Sequence, residues 1–275
     1  MGIRPPILTL VPLGGICNRM RAIDSALSLA SKVESELRVL WCLDADVGSR
    51  FETLWRLPDS IAKLVQIEAR NASGRLRKKL HSWFLINSND LYLEIFPATH
   101  DENCLIDKVR GKRVVISTGH RFCNTEEPYN NLVPADEITR LVDLITEDFD
   151  NVVGVHIRRT DNAKSTIYSP THRIIALMRE ELEKVPETRF FAASDDPDEV
   201  RTLERCFPER IISYPKRSLM RHDSQAIVDA LVDLYCLSRC RKLIGSYWSS
   251  FSETAWQIRG IEHEIVNTRI AKNDQ

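Results

Sequence analysis

The chain has 275 residues, enough for two domains with a core each. Its 28% charged and 43% hydrophobic residues are ordinary for a globular protein, and a formal net charge of -1 excludes bulk attraction to nucleic acid or anionic membrane. No apolar run approaches the roughly 20 residues of a transmembrane helix, which leaves only peripheral membrane contact open.

The opening MGIRPPILTLVPLGG predicts a first strand at Ile7–Val11 rather than a secretory signal, and Pro6 stands where a myristoylation pattern wants Ser or Thr. The turn LGGICNRM (Leu13–Met20) leads into a helix from about Arg19 to Val33. It is neither a dinucleotide-binding glycine pattern nor a phosphate loop. Gly14 and Gly15 let backbone approach a ligand closely, and Asn18 serves either that ligand or the helix as its cap. Strands are predicted at Leu37–Leu43 and Arg113–Gly119. Gly48–Arg110 between them reads as mostly helical. Its basic patch RLRKK (Arg75–Lys79) is either a solvated helix face or a contact for an acidic glycan or lipid-linked carrier. Periodicity breaks around Pro128 and Pro134, a helix follows over Ala135–Glu147, and the domains are expected at 1–135 and 136–275.

In the second half, Val152–Ile157 is apolar on both faces, as in a central parallel strand. A helix at Thr171–Lys184 and a strand at Arg189–Ala193 follow. SDDPDEV then opens a helix with Asp196 as N-cap, Pro197 in its first turn and Glu199 closing a capping box. RIISY (Arg210–Tyr214) predicts a strand, Ser224–Arg241 a long helix and Leu243–Ser246 a strand. A last helix carries Ser250 and Glu253 as a second capping box. Alternating strands and helices make this an α/β protein, with ligands expected beyond the carboxyl ends of its strands.

The segment HIRRTD (His156–Asp161) puts two arginines where an apolar strand ends. Side chains alternate along a strand, so Arg158 and Arg159 should diverge, one toward a ligand and one into a salt bridge, with Asp161 as a partner. The cluster suits bidentate binding of phosphate or carboxylate, or is a structural ion-pair group. YWSSFSETA (Tyr247–Ala255) opens a helix, a natural anion site; Ser250 is expected as its cap, with Ser249 and Ser252 less constrained. In SQAIVDALVDLYCLS the apolar stripe leaves Asp229 opposite it and solvated, and Asp233 on its flank. Asp195 is a more available carboxylate than Asp196. The seven cysteines form no CxxC pair and are expected as reduced thiols of a cytoplasmic protein.

Taken in order, GVHIRRTD, FFAASDDP and ALVDLYCLSRCRKLIGSYWSSFSETA resemble the α1,6-fucosyltransferases and nodulation fucosyltransferases, which share a superfamily with the protein O-fucosyltransferases. The early GGICNR resembles their glycine–Asn loop, with Gly15 and Asn18 at its positions. The likeness covers about Val152–Ile258 and is thin between Gly48 and Leu132. It implies a GT-B-like fold: two Rossmann-like domains facing a cleft, the acceptor side first and the nucleotide-sugar side second. It implies inverting transfer of fucose from GDP-fucose to a glycan or lipid-linked glycan, without metal or cofactor. It places Arg158 at the donor pyrophosphate with His156 and Arg159 in the same element, and Asp233 at the guanine. Ser249, beside Ser250, falls near the phosphates, and Asp195 and Asp196 close to the donor. The glutamate that serves as candidate base in the α1,6 enzymes is missing; Thr166 stands at that distance, and Asp161 is the first choice to replace it. A transferase for another nucleotide sugar and a non-catalytic GDP-sugar or glycan-binding protein are the alternative readings.

Overall fold

The computed structural model describes residues 5–68, 91–96 and 101–269. The patch at Arg75–Lys79 lies outside them. The chain forms two compact units: Met1–Ala135 with Met220–Val228, and Asp136–Leu219 with Asp229–Gln275.

In the first unit, β1 (Ile7–Pro12), β2 (Glu36–Leu43), β3 (Ile61–Glu68), β4 (Leu91–Glu94) and β5 (Arg113–Thr118) pair in the order β3-β2-β1-β5-β4, all parallel. Helices α1 (Ile16–Lys32), α2 (Phe51–Leu54) and α3 (Glu102–Val109) connect them. β1 and β2 are buried almost end to end, as expected of central parallel strands with both faces covered. Trp41, Phe51 and Trp55 pack edge-on and tilted, with centroids 5.3–6.0 Å apart, and Trp41 Nε1 donates to the Ser49 carbonyl at 2.9 Å.

The expectation of a mostly helical Gly48–Arg110 is corrected, since this stretch holds β3 and β4. Both lie at sheet edges and are only partly covered, so Lys63, Gln66 and Glu94 interrupt the apolar runs that mark inner strands.

The second unit opens with α4 (Asp136–Ile145) and then β6 (Val152–Ile157), every residue of which is buried. Next come α5 (Ala163–Tyr168), α6 (Thr171–Lys184), β7 (Arg189–Ser194), α7 (Pro197–Cys206) and β8 (Ile211–Ile212). α8 (Ser224–Ser238) follows, its residues from Asp229 on belonging to this unit, which closes with β9 (Lys242–Ser246), α9 (Ser250–Gln257) and β10 (Glu262–Val266). The sheet order is β10-β9-β6-β7-β8, again all parallel. The chain leaves β6 to one side through β7 and returns to its other side through β9. The switch point therefore lies between β6 and β9, at whose carboxyl ends ligands collect in such sheets.

The short α5 and the edge strand β10, whose EHEIV is half polar, had no clear signal in the sequence. The segment Met220–Val228 is grouped with the first unit because it packs there: Gly48 N–H donates to the Arg221 carbonyl at 2.9 Å, and Ser49 and Ser224 hydroxyls meet at 2.8 Å. Gly48 permits this approach, since a Cβ there would stand 1.9 Å from the His222 carbonyl oxygen.

Candidate functional site

The carboxyl ends of β6, β7 and β9 are tied together by their own side chains. Ser246, the last residue of β9, accepts from the Arg158 N–H at 3.0 Å and donates to the His156 carbonyl at 3.1 Å. Ser194 ends β7, and Asp195 just beyond it accepts from Arg159 N–H at 2.8 Å, Thr160 Oγ1 at 2.6 Å and Arg158 Nη1 at 2.5 Å. One carboxylate therefore organises the whole turn after β6. Burial opposes its charge, but the Thr160 hydrogen bond, the Arg158 charge and the Arg159 amide outweigh this and hold its pKa below the ordinary carboxylate value.

The two arginines, just beyond the end of β6, do separate, but Asp161, expected beside the anchoring one, pairs with Arg158, and Glu199 takes its place on Arg159. Arg159, with 10% of its side chain exposed, donates to Glu199 at 2.6 Å, Thr171 Oγ1 at 2.9 Å and the Ser169 carbonyl at 3.1 Å. It is the anchor. Glu199 is thereby drawn away from the expected capping box; Asp196 does cap α7, accepting from Asp198 N–H at 2.9 Å, and so serves structure. Arg158 is gripped between Asp195 and Asp161 and keeps 18% of its side chain exposed. Asp161 is 54% exposed, so its carboxylate reaches solvent beside that guanidinium. Thr166 bonds back to the carbonyls of Arg159 and Asn162, and Asn162 caps α5 while donating to the Trp248 carbonyl at 2.8 Å.

Across the switch point, the helix start differs from expectation. Ser249 holds the N-cap position of α9 and makes no capping hydrogen bond with its side chain, while Ser250 is the first helical residue. The expected box between Ser250 and Glu253 does not form with Ser250 as cap. Ser252, read as loosely constrained, is fully buried; its Oγ meets His156 Nδ1 at 2.7 Å and accepts from Ser246 N–H at 3.0 Å. His156 is buried and stacked on Phe251, with ring centroids 4.7 Å apart. Burial, reinforced by the charges of Arg158, Lys216 and Arg159 and opposed by Asp195, lowers its pKa to about 3, so it is neutral at physiological pH.

α8 is buried all round, so the amphipathic reading that left Asp229 in solvent is corrected. Asp229 is fully buried and is satisfied by Arg217 at 2.6 Å, the Arg217 N–H at 2.7 Å and Tyr214 at 3.2 Å. The helix places it against the loop after β8, which brings its own polar groups inward. Asp233, one turn on, is 2% exposed. Its Oδ2 pairs with Lys216 at 2.8 Å, whose ammonium also donates to the Ser194 carbonyl, while Oδ1 is buried with no hydrogen-bond partner among the described residues. Burial raises its pKa to about 6, against the pull of Lys216.

His156, Arg158, Arg159, Asp161 and Asp195 thus share one network, Asp196 only caps α7, and Ser249 and Ser250 begin α9 next to the Trp248 carbonyl that Asn162 bonds. Gly15 and Asn18 belong to the first unit. There Gly15 is the N-cap of α1, and Asn18, three residues into the helix rather than capping it, accepts from Arg21 at 2.5 Å. Lys216, Thr160 and Ser252 escaped sequence reasoning. Lys216 lies in a loop without periodicity, and a serine inside a helix start looks like any other. All seven cysteines are free thiols. Among the described residues no helix is long and apolar enough to cross a membrane, and no group of three His, Cys, Asp or Glu side chains could hold a metal ion.

No protein-family model matches the chain, and no curated protein matches its sequence. Solved structures do. The NodZ α1,6-fucosyltransferase soaked with GDP-fucose superposes with a TM-score of 0.61 at 17% identity, over 93% of each chain. A FUT1 variant from Arabidopsis thaliana in complex with GDP reaches 0.63 at 15% identity, over 95% of this chain and 70% of its own. POFUT1 in complex with GDP reaches 0.57 at 12% identity, over 95% and 98%. The chain has the fold of these fucosyltransferases. This is the GT-B-like α/β arrangement of two parallel five-stranded sheets. The β6 and β9 loops described above stand at the switch point of the second sheet.

Proposed function

We propose that the protein is a glycosyltransferase that moves fucose from GDP-fucose to a hydroxyl of a glycan or lipid-linked glycan, with inversion and without a metal. The observation that carries this is Arg158: a guanidinium at the switch point, its two sides fixed by Asp195 and Asp161, in a fold whose solved examples were determined with GDP or GDP-fucose. As the sugar–phosphate bond breaks, negative charge grows on the β-phosphate, and fixed donors lower that barrier most when they need not reorganise. Arg158 and the start of α9 beyond Ser249 supply such donors. Arg159 holds the turn in place.

The buried Oδ1 of Asp233 supports guanine as the base. A buried acceptor without a partner is costly and calls for an explanation. The N1–H and N2 amine of guanine are both donors and match an acceptor-only carboxylate. Asp161 is the half-exposed carboxylate placed to take the acceptor proton.

A thermal-shift panel of nucleotides tests the reading. A ligand at 100 times its dissociation constant adds about 2.7 kcal/mol of stability. GDP and GDP-fucose should raise the melting temperature where UDP and ADP do not. A preference for UDP or ADP contradicts the assignment, and GDP binding without GDP release from GDP-fucose favours a non-catalytic binding protein or a different sugar.

A further inference from the structure

We infer that Ser252 is a positioning residue that locks His156 as the neutral tautomer protonated on Nε2, so that the site presents a nitrogen donor, not an acceptor, to the bound nucleotide. The hydroxyl decides this. Ser252 Oγ accepts from the Ser246 N–H at 3.0 Å and stands 2.7 Å from His156 Nδ1. A hydroxyl can accept twice, but among the described residues this one has no acceptor in reach other than Nδ1, so its own proton goes to Nδ1. Ser252 is fully buried, away from bulk solvent. Nδ1 is therefore an acceptor, and the proton of the neutral ring resides on Nε2.

The surroundings hold this arrangement. The ring is stacked on Phe251 at an interplanar angle of 22°, which fixes its plane, and the Nδ1–Ser252 contact fixes which edge carries Nε2. Gly245 leaves the space Ser252 occupies: a Cβ there would stand 2.9 Å from Ser252 Cβ and 3.0 Å from its Oγ. Ser246, whose N–H sets the orientation of Ser252, also receives the Arg158 N–H through its own hydroxyl. The tautomer of His156 and the backbone of Arg158 are thus set by one pair of serines. Protonation of the ring would place a hydrogen on Nδ1 facing the Ser252 proton, which adds to the cost of charging it.

The tautomer assignment stands on the apo geometry; its use by a nucleotide rests on the function proposed above. Ring-nitrogen NMR of histidine-labelled protein near neutral pH reads the first directly. A His156 signal with Nδ1 unprotonated and Nε2 protonated is expected, and protonation on Nδ1 overturns the inference without any variant being made. Ser252→Ala should populate both tautomers and weaken GDP binding by the share of the competent one, about twofold for an even mixture. An alanine variant that keeps the Nε2–H tautomer and its GDP affinity overturns the role of Ser252. Wild-type protein with the expected tautomer but no affinity for GDP instead contradicts the nucleotide reading alone.

Discussion

Asp233 and His156 are both buried titratable groups, and burial moves them in opposite directions. Under the proposed base recognition, the Asp233 carboxyl, raised to about 6, must be ionised to accept both guanine donors. GDP affinity should therefore fall as pH drops through about 6, and Asp233→Asn should bind GDP weakly with a flat pH profile. Titration calorimetry across this range checks it; an unchanged profile in the variant would remove Asp233 from base recognition. For the ligand-free fold the signs differ. The raised value means that folding gains from Asp233 as pH falls from about 6 toward 3.8. His156, at about 3 against 6.5, is protonated more readily when unfolded, so its contribution to stability is lost as pH falls from 6.5 toward 3. His156→Asn should remove that slope from a series of urea midpoints measured against pH, and an identical slope would show that the imidazole is not held neutral. If Asp161 takes the acceptor proton as proposed, Asp161→Asn should lower kcat with little change in KM for the donor.

At the scale of elements, the close approach of residues 220–228 to the loop after β2 depends on one missing side chain. Gly48→Ala drives a Cβ into the His222 backbone, which cannot rotate away as a side chain would. Overpacking of this kind costs typically about 1–3 kcal/mol, and backbone clashes lie at the upper end. Urea unfolding of Gly48→Ala should show a loss of about that size, and wild-type stability would mean that the segment is not held there. The elements also show what the amino-acid pattern could reveal. β1, β2, β5, β6 and β7 were legible because both faces of a central parallel strand are apolar. β3, β4 and β10 were hidden because edge strands mix polar residues into the run. Asp229 was misplaced because helical periodicity assumes one wet face, and α8 has none; its carboxylate is met by Arg217 from a loop that no period announces. In the site, Arg158, His156 and Asp195 could be named from their place after strands. Ser252 and Lys216 could not, since their importance lies in contacts made 96 and 17 residues away along the chain.

On the scale of the molecule, both units are built alike. In each, the first strand becomes central and a later one pairs on its far side: β5 beside β1, and β9 beside β6. The glycine turn LGGICN and the arginine turn HIRRTD are consequently the same structural position in two sheets, one left open by glycines and the other filled with charge. Under the proposed function, that difference is why the second unit, with its charged turn, meets the departing nucleotide. Steady-state GDP release from GDP-fucose by Arg158→Ala tests this most directly. Removing a preorganised charge-stabilising donor costs about 10²- to 10³-fold in rate, and a loss of that size with the fold intact is the predicted result. GDP release at the wild-type rate would contradict the account.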